Sequence, residues 1–287
     1  MSVIERSFIP AAEKLIDNGA RVHRHEVSEL SPDVDYVMST VTKESELTWA
    51  RNLCWALPWP DAEGRLKIGI RTTSDDIHAF YVRQRQLTQL TVLPFPTTDL
   101  RTDWYVFHES TEAPIDHPAT GGHSETDFIA LFVLDGSDGI SSEIGWGRTA
   151  EVALPLKAKV GLLATYLDAL RKQDAGALAS MFTEGAQGAV RGYFGYEQPF
   201  VRLDGNEAIR GYYDRLFGAV RFLEADVVQS LVRDWFVFYE LRLKLELLSG
   251  ERRGDSVQTR IAEYLAMGAY GRFEARCGYG TELESEV

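Results

Sequence analysis

Apolar residues recur along this chain with two periods, and the switches between them sketch its elements. Residues 10–20 show helical spacing through Ala11, Leu15 and Ile16, with Asn18-Gly19 as an end signal. His23-Arg24-His25-Glu26 then reads as a solvated, charged strand. Ser31-Pro32 has the form of an N-cap followed by Pro at the first helical position, and Val34, Val37, Met38 and Val41 share one helical face. A second helical stretch is expected over 46–55, ended by Leu57-Pro58-Trp59-Pro60. After a short strand at 66–71, Ser74 caps a helix over 74–87 whose Ile77, Phe80 and Tyr81 face inward. Strands are expected at 87–94, 103–109, 126–134 and 140–148. Helical spacing returns with Leu162, Leu163, Tyr166, Leu167 and Leu170, and again with Leu178, Met181 and Phe182 after Asp174. A glycine-rich loop or short strand covers 185–198 and a strand 200–203. A helix over 206–217, capped by Asp204 or Asn206, precedes long strands at 234–248, 256–267 and 271–280.

One stretch occurs twice. Asp103-Trp104-Tyr105-Val106-Phe107-His108-Glu109 returns as Asp234-Trp235-Phe236-Val237-Phe238-Tyr239-Glu240, 131 residues later. At an offset of 132, Ile77, Phe80, Tyr81 and Arg83 fall on Ile209, Tyr212, Tyr213 and Arg215. At 133, Gly145-Trp146-Gly147 falls on Gly278-Tyr279-Gly280. Collinear anchors at domain spacing predict a tandem duplication. Each repeat reads helix, helix, strand, helix and then a long antiparallel sheet, an α+β unit with helices over one sheet face. The expected boundaries are an N-terminal extension at 1–30, a first domain at 31–150, a linker at 151–159 and a second domain at 160–287.

A length of 287 residues with 45% hydrophobic content suffices for two ordinary cores. No apolar run reaches bilayer length and no signal peptide is visible, so no membrane partner is expected and the location reads as cytoplasmic. Two isolated cysteines, Cys54 and Cys277, fit a reduced compartment. The net charge of −13 is uneven: −11 over residues 1–155 and −2 over the rest. With no basic stripe, nucleic-acid binding is excluded.

The second half carries a recognisable pattern. Leu162-Leu163-Ala164-Thr165-Tyr166-Leu167-Asp168-Ala169-Leu170, with Asp174, Ala177-Leu178 and Met181-Phe182, resembles the opening helices of the nuclear transport factor 2-like superfamily. Gly205-Asn206-Glu207-Ala208-Ile209-Arg210-Gly211-Tyr212-Tyr213 is similar to its third helix. SnoaL-like polyketide cyclases and ketosteroid isomerases belong there. The resemblance covers about 125 residues of the second half and reaches the first through the repeat. It implies two tandem cone-shaped domains, each a curved antiparallel sheet covered by about three helices, an α+β roll around an apolar cavity. It also implies a small apolar carbonyl ligand of polyketide or steroid type, no cofactor and no metal. Sheets that pack back to back in such dimers imply a pseudo-dimer within the chain, with a homodimer as the other arrangement. Fold alone does not assign activity.

The resemblance sets Tyr166 where isomerases keep a substrate-binding tyrosine, but their two aspartates fall near Val190 and Ala262, and Arg171 stands where related dehydratases have aspartate. The second repeat thus reads as catalytically incomplete. Ala113-Pro114-Ile115-Asp116-His117 matches an isomerase string, yet Pro118 and Gly121-Gly122 make it read as a loop. All six histidines lie in the first half. His108, on the apolar strand face with Trp104 and Val106, is the expected general base, kept neutral by desolvation. Tyr36, Asp35 and Asp127 are its candidate partners, with Glu125 a further option. Trp49, Trp55, Trp104, Tyr166 and Tyr239 are candidate ligand contacts. The expected function is a cofactor-independent lyase, isomerase or cyclase abstracting a proton in the first domain. The competing expectation is a non-catalytic ligand-binding or assembly module, with the second domain as scaffold.

Overall fold

The computed structural model describes residues 3–47, 53–60, 66–93, 96–118, 120–134, 138–191, 200–281 and 283–285. The chain divides into two compact units, Met1–Arg148 and Thr149–Val287. No helix among the described residues is long and apolar enough to cross a membrane.

Unit 1 opens with one helix, α1 (Val3–Glu29). This corrects the reading of the first 30 residues. Gly19 does not end the helix, and His23 to Glu26 are helical rather than extended. Nor is the stretch an extension: Val22 belongs to the core cluster of unit 1, and His25 is fully buried. An interior glycine costs a helix only about 1 kcal/mol, which burial of one apolar face outweighs. Gly19 also gives room, because a Cβ there would collide with the Arg101 side chain.

Helix α2 (Val34–Met38) follows, capped by Asp33, whose side chain accepts from the Asp35 N–H. The helix expected over 46–55 does not form. Glu44–Glu46 makes a single 3₁₀ turn, and Cys54–Pro60 is strand β1. Its prolines are tolerated because pairing with the neighbouring last strand stops at Ala56, leaving Pro58 and Pro60 on a one-sided stretch. Strand β2 (Leu66–Arg71) completes a hairpin with β1, and α3 (Ser74–Leu87) crosses to the far edge. Thr73, not Ser74, caps α3 by accepting from the Asp76 N–H. Strands β3 (Gln89–Leu90), β4 (Pro96–Arg101), β5 (Tyr105–His117), β6 (Gly122–Val133) and β7 (Ser142–Gly147) then return across the sheet. The 113–117 stretch, expected as a loop, extends β5 past a bulge and pairs with β6. The order is β2-β1-β7-β6-β5-β3, with β4 also on β5. All pairs are antiparallel except β1 with β7.

Unit 2 follows the same plan. It contains α4 (Leu156–Arg171), α5 (Ala175–Ser180), β8 (Phe182–Arg191), β9 (Phe200–Asp204), α6 (Asn206–Ala219), β10 (Val220–Val232), β11 (Phe236–Leu247), β12 (Ser256–Met267), β13 (Phe273–Gly280) and β14 (Glu284–Ser285). Its sheet runs β9-β8-β13-β12-β11-β10, again with one parallel pair, β8 with β13, and β14 adds to β12. Two boundaries differ from the sequence reading. Helix α4 begins inside the expected linker, and β10 forms where no strand was expected. Leu223, Val227 and Val228 of β10 are exposed, so the strand lacks the in-out alternation that reveals strands in sequence. Helix α6 starts at Gly205, whose φ of 89° suits glycine, and Asn206 instead donates to the Ala179 carbonyl.

The repeated stretch opens equivalent strands. Thr102 N–H bonds Tyr105 O at 2.9 Å, and Arg233 N–H bonds Phe236 O at 2.9 Å. Leu134 N–H bonds Trp104 O at 3.0 Å, and Met267 N–H bonds Trp235 O at 2.7 Å. Both sheets are curled, with helices packed on them, giving two α+β cones in tandem. Ile77 on α3 and Ile209 on α6 are both fully buried. Each truncation, Ile77→Ala or Ile209→Ala, should cost about 2–5 kcal/mol in urea unfolding. A loss below about 1 kcal/mol at either site would show that its helix does not anchor its sheet.

Candidate functional site

The interior of unit 1 gathers polar groups from four elements around one hydroxyl. Tyr81, on the buried face of α3, places its Oη 3.0 Å from Glu29 Oε1 and 3.1 Å from Glu143 Oε2. His25 Nε2 lies 3.3 Å from the same hydroxyl and 3.4 Å from Glu143 Oε2. The Trp55 indole donates to Tyr81 Oη at 3.0 Å. His25 and Glu29 come from adjacent turns of α1, one above the other. Glu143 comes from β7 and sits opposite Trp55 of β1 in the parallel register. His25, Tyr81 and Trp55 are fully buried, Glu143 nearly so, and Glu29 is half-buried at the edge of the cluster.

Proton accounting constrains this cluster. Thr40 Oγ1 donates to the Val37 carbonyl, so it accepts from His25 Nδ1–H at 2.6 Å. Neutral His25 would then turn a lone pair towards Glu143. Trp55 only donates, and Tyr81 has one proton for two carboxyl groups. At least one extra positive charge must therefore reside among His25, Glu29 and Glu143. The acidities agree. Burial, then the Glu143 charge, push the Glu29 carboxyl up to about 7, with His25 and Tyr81 partly offsetting this. Burial alone would lower His25, but the Glu143 hydrogen bond and the surrounding carboxylates outweigh it and raise the imidazole. Burial and the same two carboxylates push the Tyr81 phenol well up, so it stays a neutral donor.

Unit 2 fills the corresponding interior differently. Tyr166 on α4 meets Tyr213 on α6, Oη to Oη at 2.5 Å, much as His25 meets Tyr81. Tyr166 also donates to Glu263 Oε1 at 2.7 Å. Arg276 of β13 clamps that carboxylate, Nε to Oε1 at 2.8 Å and Nη2 to Oε2 at 3.0 Å. Its guanidinium lies 4.8 Å and 4.6 Å from the Tyr212 and Tyr213 ring centroids. Arg276 pairs with Gly188 of β8 where Glu143 pairs with Trp55. A Cβ at Gly188 would stand 2.7 Å from the Arg276 carbonyl oxygen, so the close approach there requires glycine.

The residues singled out from sequence do not converge. His108 is buried on β5, with Nδ1 2.8 Å from Glu26 Oε1. Its Nε2 lies 3.3 Å from Asp99 Oδ1 without hydrogen-bond geometry. The expectation of a neutral imidazole is corrected. Burial lowers its pKa, but Glu26 and Asp99 outweigh burial and raise it. Tyr36 is 42% exposed on α2, and Asp35 is exposed, 3.6 Å from His78. Asp127 pairs with Arg148 at 2.9 Å and accepts from the Glu112 N–H, and Glu125 is exposed. None of these is a hydrogen-bond or ion-pair partner of His108, which meets Glu26 and Asp99 instead. Trp49 lies outside the described residues. Trp55 joins the Tyr81 cluster, Trp104 packs edge-on against Tyr105 at 4.7 Å, and Tyr166 and Tyr239 pack 5.8 Å apart in unit 2. Sequence reading missed His25, Glu29 and Glu143. An α1 continued through Gly19 would have set His25 and Glu29 at i, i+4 on one face.

No protein-family model and no curated relative matches the chain. Solved structures match over less than half of it. An epoxide hydrolase of limonene-epoxide-hydrolase-like type from M. tuberculosis is 18% identical over 44% of this chain and 84% of its own, with a TM-score of 0.34. A hypothetical protein with a ketosteroid isomerase-like fold from Catenulispora acidiphila, solved with trimethylamine, is 12% identical over 41% and 83%, with a TM-score of 0.35.

His108 carries a pH signature. Its folded pKa is raised, so the stabilisation is complete below about 6.5 and is lost as pH rises through the folded value. Glu26→Gln should therefore cost about 1.5–3 kcal/mol in acid and progressively less above neutrality, read by denaturant unfolding across pH. A cost independent of pH would show that His108 does not carry the charge.

The strand order, the parallel pairing of first and last long strands and the covering helices give each unit the curved α+β arrangement that the resemblance to the nuclear transport factor 2-like superfamily leads one to expect.

Proposed function

We propose that this protein is a small-molecule enzyme whose working site is the interior of unit 1, with proton transfer by the Glu29, Tyr81, Glu143 and His25 cluster. The observation that carries this is the convergence of an imidazole and two carboxyls on the Tyr81 hydroxyl, with the half-buried Glu29 at the accessible edge. Glu29 would take a proton from carbon next to a carbonyl, and the neutral Tyr81 hydroxyl would donate to the developing oxyanion. Thr40 holds the His25 ring, and the Tyr81 proton, which lies towards Glu143 at 3.1 Å in the resting site, would turn to the oxyanion as charge develops there. The bordering aromatic and aliphatic groups Phe80, Leu57 and Trp59 suit a small apolar carbonyl ligand and a lyase- or isomerase-type outcome. In this reading His108 is a structural ion pair, and unit 2, with its carboxylate clamped by Arg276, is a scaffold.

Hydrogen–deuterium exchange at carbon next to the carbonyl, in a panel of apolar ketones, tests this directly. Glu29→Gln should slow exchange by about 10²–10⁴-fold, whereas Arg276→Lys should change stability and leave exchange per folded molecule unaltered. Exchange that survives Glu29→Gln undiminished would remove Glu29 as base. A second reading, a ligand-binding module without chemistry, is favoured by the filled interior of unit 2. A co-purified small molecule in native mass spectrometry, with no exchange of any ketone, would support it.

A further inference from the structure

We infer that unit 1 binds one divalent transition-metal cation between His25 Nε2, Glu29, Glu143 and Tyr81 Oη. Spacing is the first ground. The ligand atoms of His25, Glu29 and Glu143 all lie within 4.8 Å of one another. Tyr81 Oη is 3.0, 3.1 and 3.3 Å from Glu29, Glu143 and His25, and His25 Nε2 is 3.4 Å from Glu143 Oε2. Oxygen and nitrogen donors around one cation at about 2.0–2.2 Å stand roughly 3–3.4 Å apart, so little movement would form the polyhedron.

Orientation is the second ground. The Thr40 hydroxyl donates to the Val37 carbonyl and must accept from His25 Nδ1–H. The Nε2 lone pair is thereby aimed at the carboxylate, the outer-partner arrangement that orients metal-bound histidines. The Trp55 indole N–H holds the Tyr81 oxygen in place in the same way, donating to it at 3.0 Å.

Charge is the third. Among the described residues no Lys or Arg forms an ion pair with Glu29 or Glu143. Two buried or half-buried carboxylates without a cation are costly. In unit 2 the strand position of Glu143 is held by Arg276, a permanent cation bound to Glu263. In unit 1 no arginine bonds these carboxylates among the described residues: the Arg71 charge reaches Glu143 only through space and His25 is a cation only when protonated, so a divalent ion would complete the balance. One imidazole with oxygen donors favours Zn²⁺, Mn²⁺ or Fe²⁺ over Mg²⁺ and Ca²⁺.

The site shares its atoms with the proton-transfer cluster, so the cation would withdraw Glu29 and Tyr81 from proton exchange and act as an off-state. Binding is read without turnover, so the two ideas fail separately: ketone exchange in excess EDTA tests the first and cation titration tests this one. The full chain, stripped with EDTA, is titrated with Zn²⁺, Mn²⁺, Mg²⁺ and Ca²⁺ by calorimetry and thermal unfolding. One Zn²⁺ or Mn²⁺ per chain should bind and raise Tm with concentration, with Mg²⁺ and Ca²⁺ weaker. Thr40→Val should weaken binding about 10–100-fold, and Glu143→Gln at least as much. Glu29→Gln, at the half-buried edge, gives the same reading if Glu143→Gln fails to fold. His117→Ala with His123→Ala, on the exposed β5–β6 hairpin, should leave binding intact. No saturable binding, binding undiminished in Glu29→Gln, or binding lost with the hairpin histidines would each overturn the proposal.

Discussion

Each unit depends on one contact, the parallel pairing of its last long strand with its first. A helix carries the chain from one sheet edge to the other, and the following strands must return until β7 meets β1 and β13 meets β8. The contact is short, three residue pairs from Cys54 to Ala56 in unit 1. It nevertheless decides the interior, because it sets Glu143 against Trp55 and Arg276 against Gly188. Parallel pairing needs a long crossover, so these contacts join residues far apart in sequence.

On this shared frame the two interiors solve the same electrostatic problem in opposite ways. A carboxylate in a low-dielectric interior must be paired, hydrogen-bonded or protonated. Unit 2 pairs Glu263 with a bidentate guanidinium and closes the network with two phenols. Unit 1 gathers two carboxyls, an imidazole and one phenol, and leaves the balance to a mobile charge. A group held by an arginine is locked, whereas one that depends on a proton or an added cation can change state. In the proposed function that difference, rather than the fold, is what assigns chemistry to unit 1 and a scaffold role to unit 2.

The twin stretches Asp103–Glu109 and Asp234–Glu240 were legible because strand alternation and aromatic residues survive as a pattern. Ile77, Phe80 and Tyr81 were legible on α3 for the same reason, at helical spacing, and so were their counterparts on α6. Where local signals conflicted, tertiary packing won. Gly19 reads as a stop, yet α1 continues because its buried face is worth more than the glycine costs. The Pro58 and Pro60 pair reads as a helix breaker, yet it ends a strand whose second neighbour has already departed. Strand β10 is partly exposed and so has no alternation to read.

The sequence by itself determined the α+β class, the two-fold plan and which helix faces turn inward, since periodicity is a local property. It also placed the histidines in the first half. Only the tertiary structure decided which ionisable groups meet. His108 looked desolvated on its strand, but Glu26 from α1 and Asp99 from β4 charge it. His25 looked solvated, but α1 buries it against Tyr81 and Glu143. Protonation depends on neighbours brought from 56 and 118 residues away, and no local pattern encodes those distances.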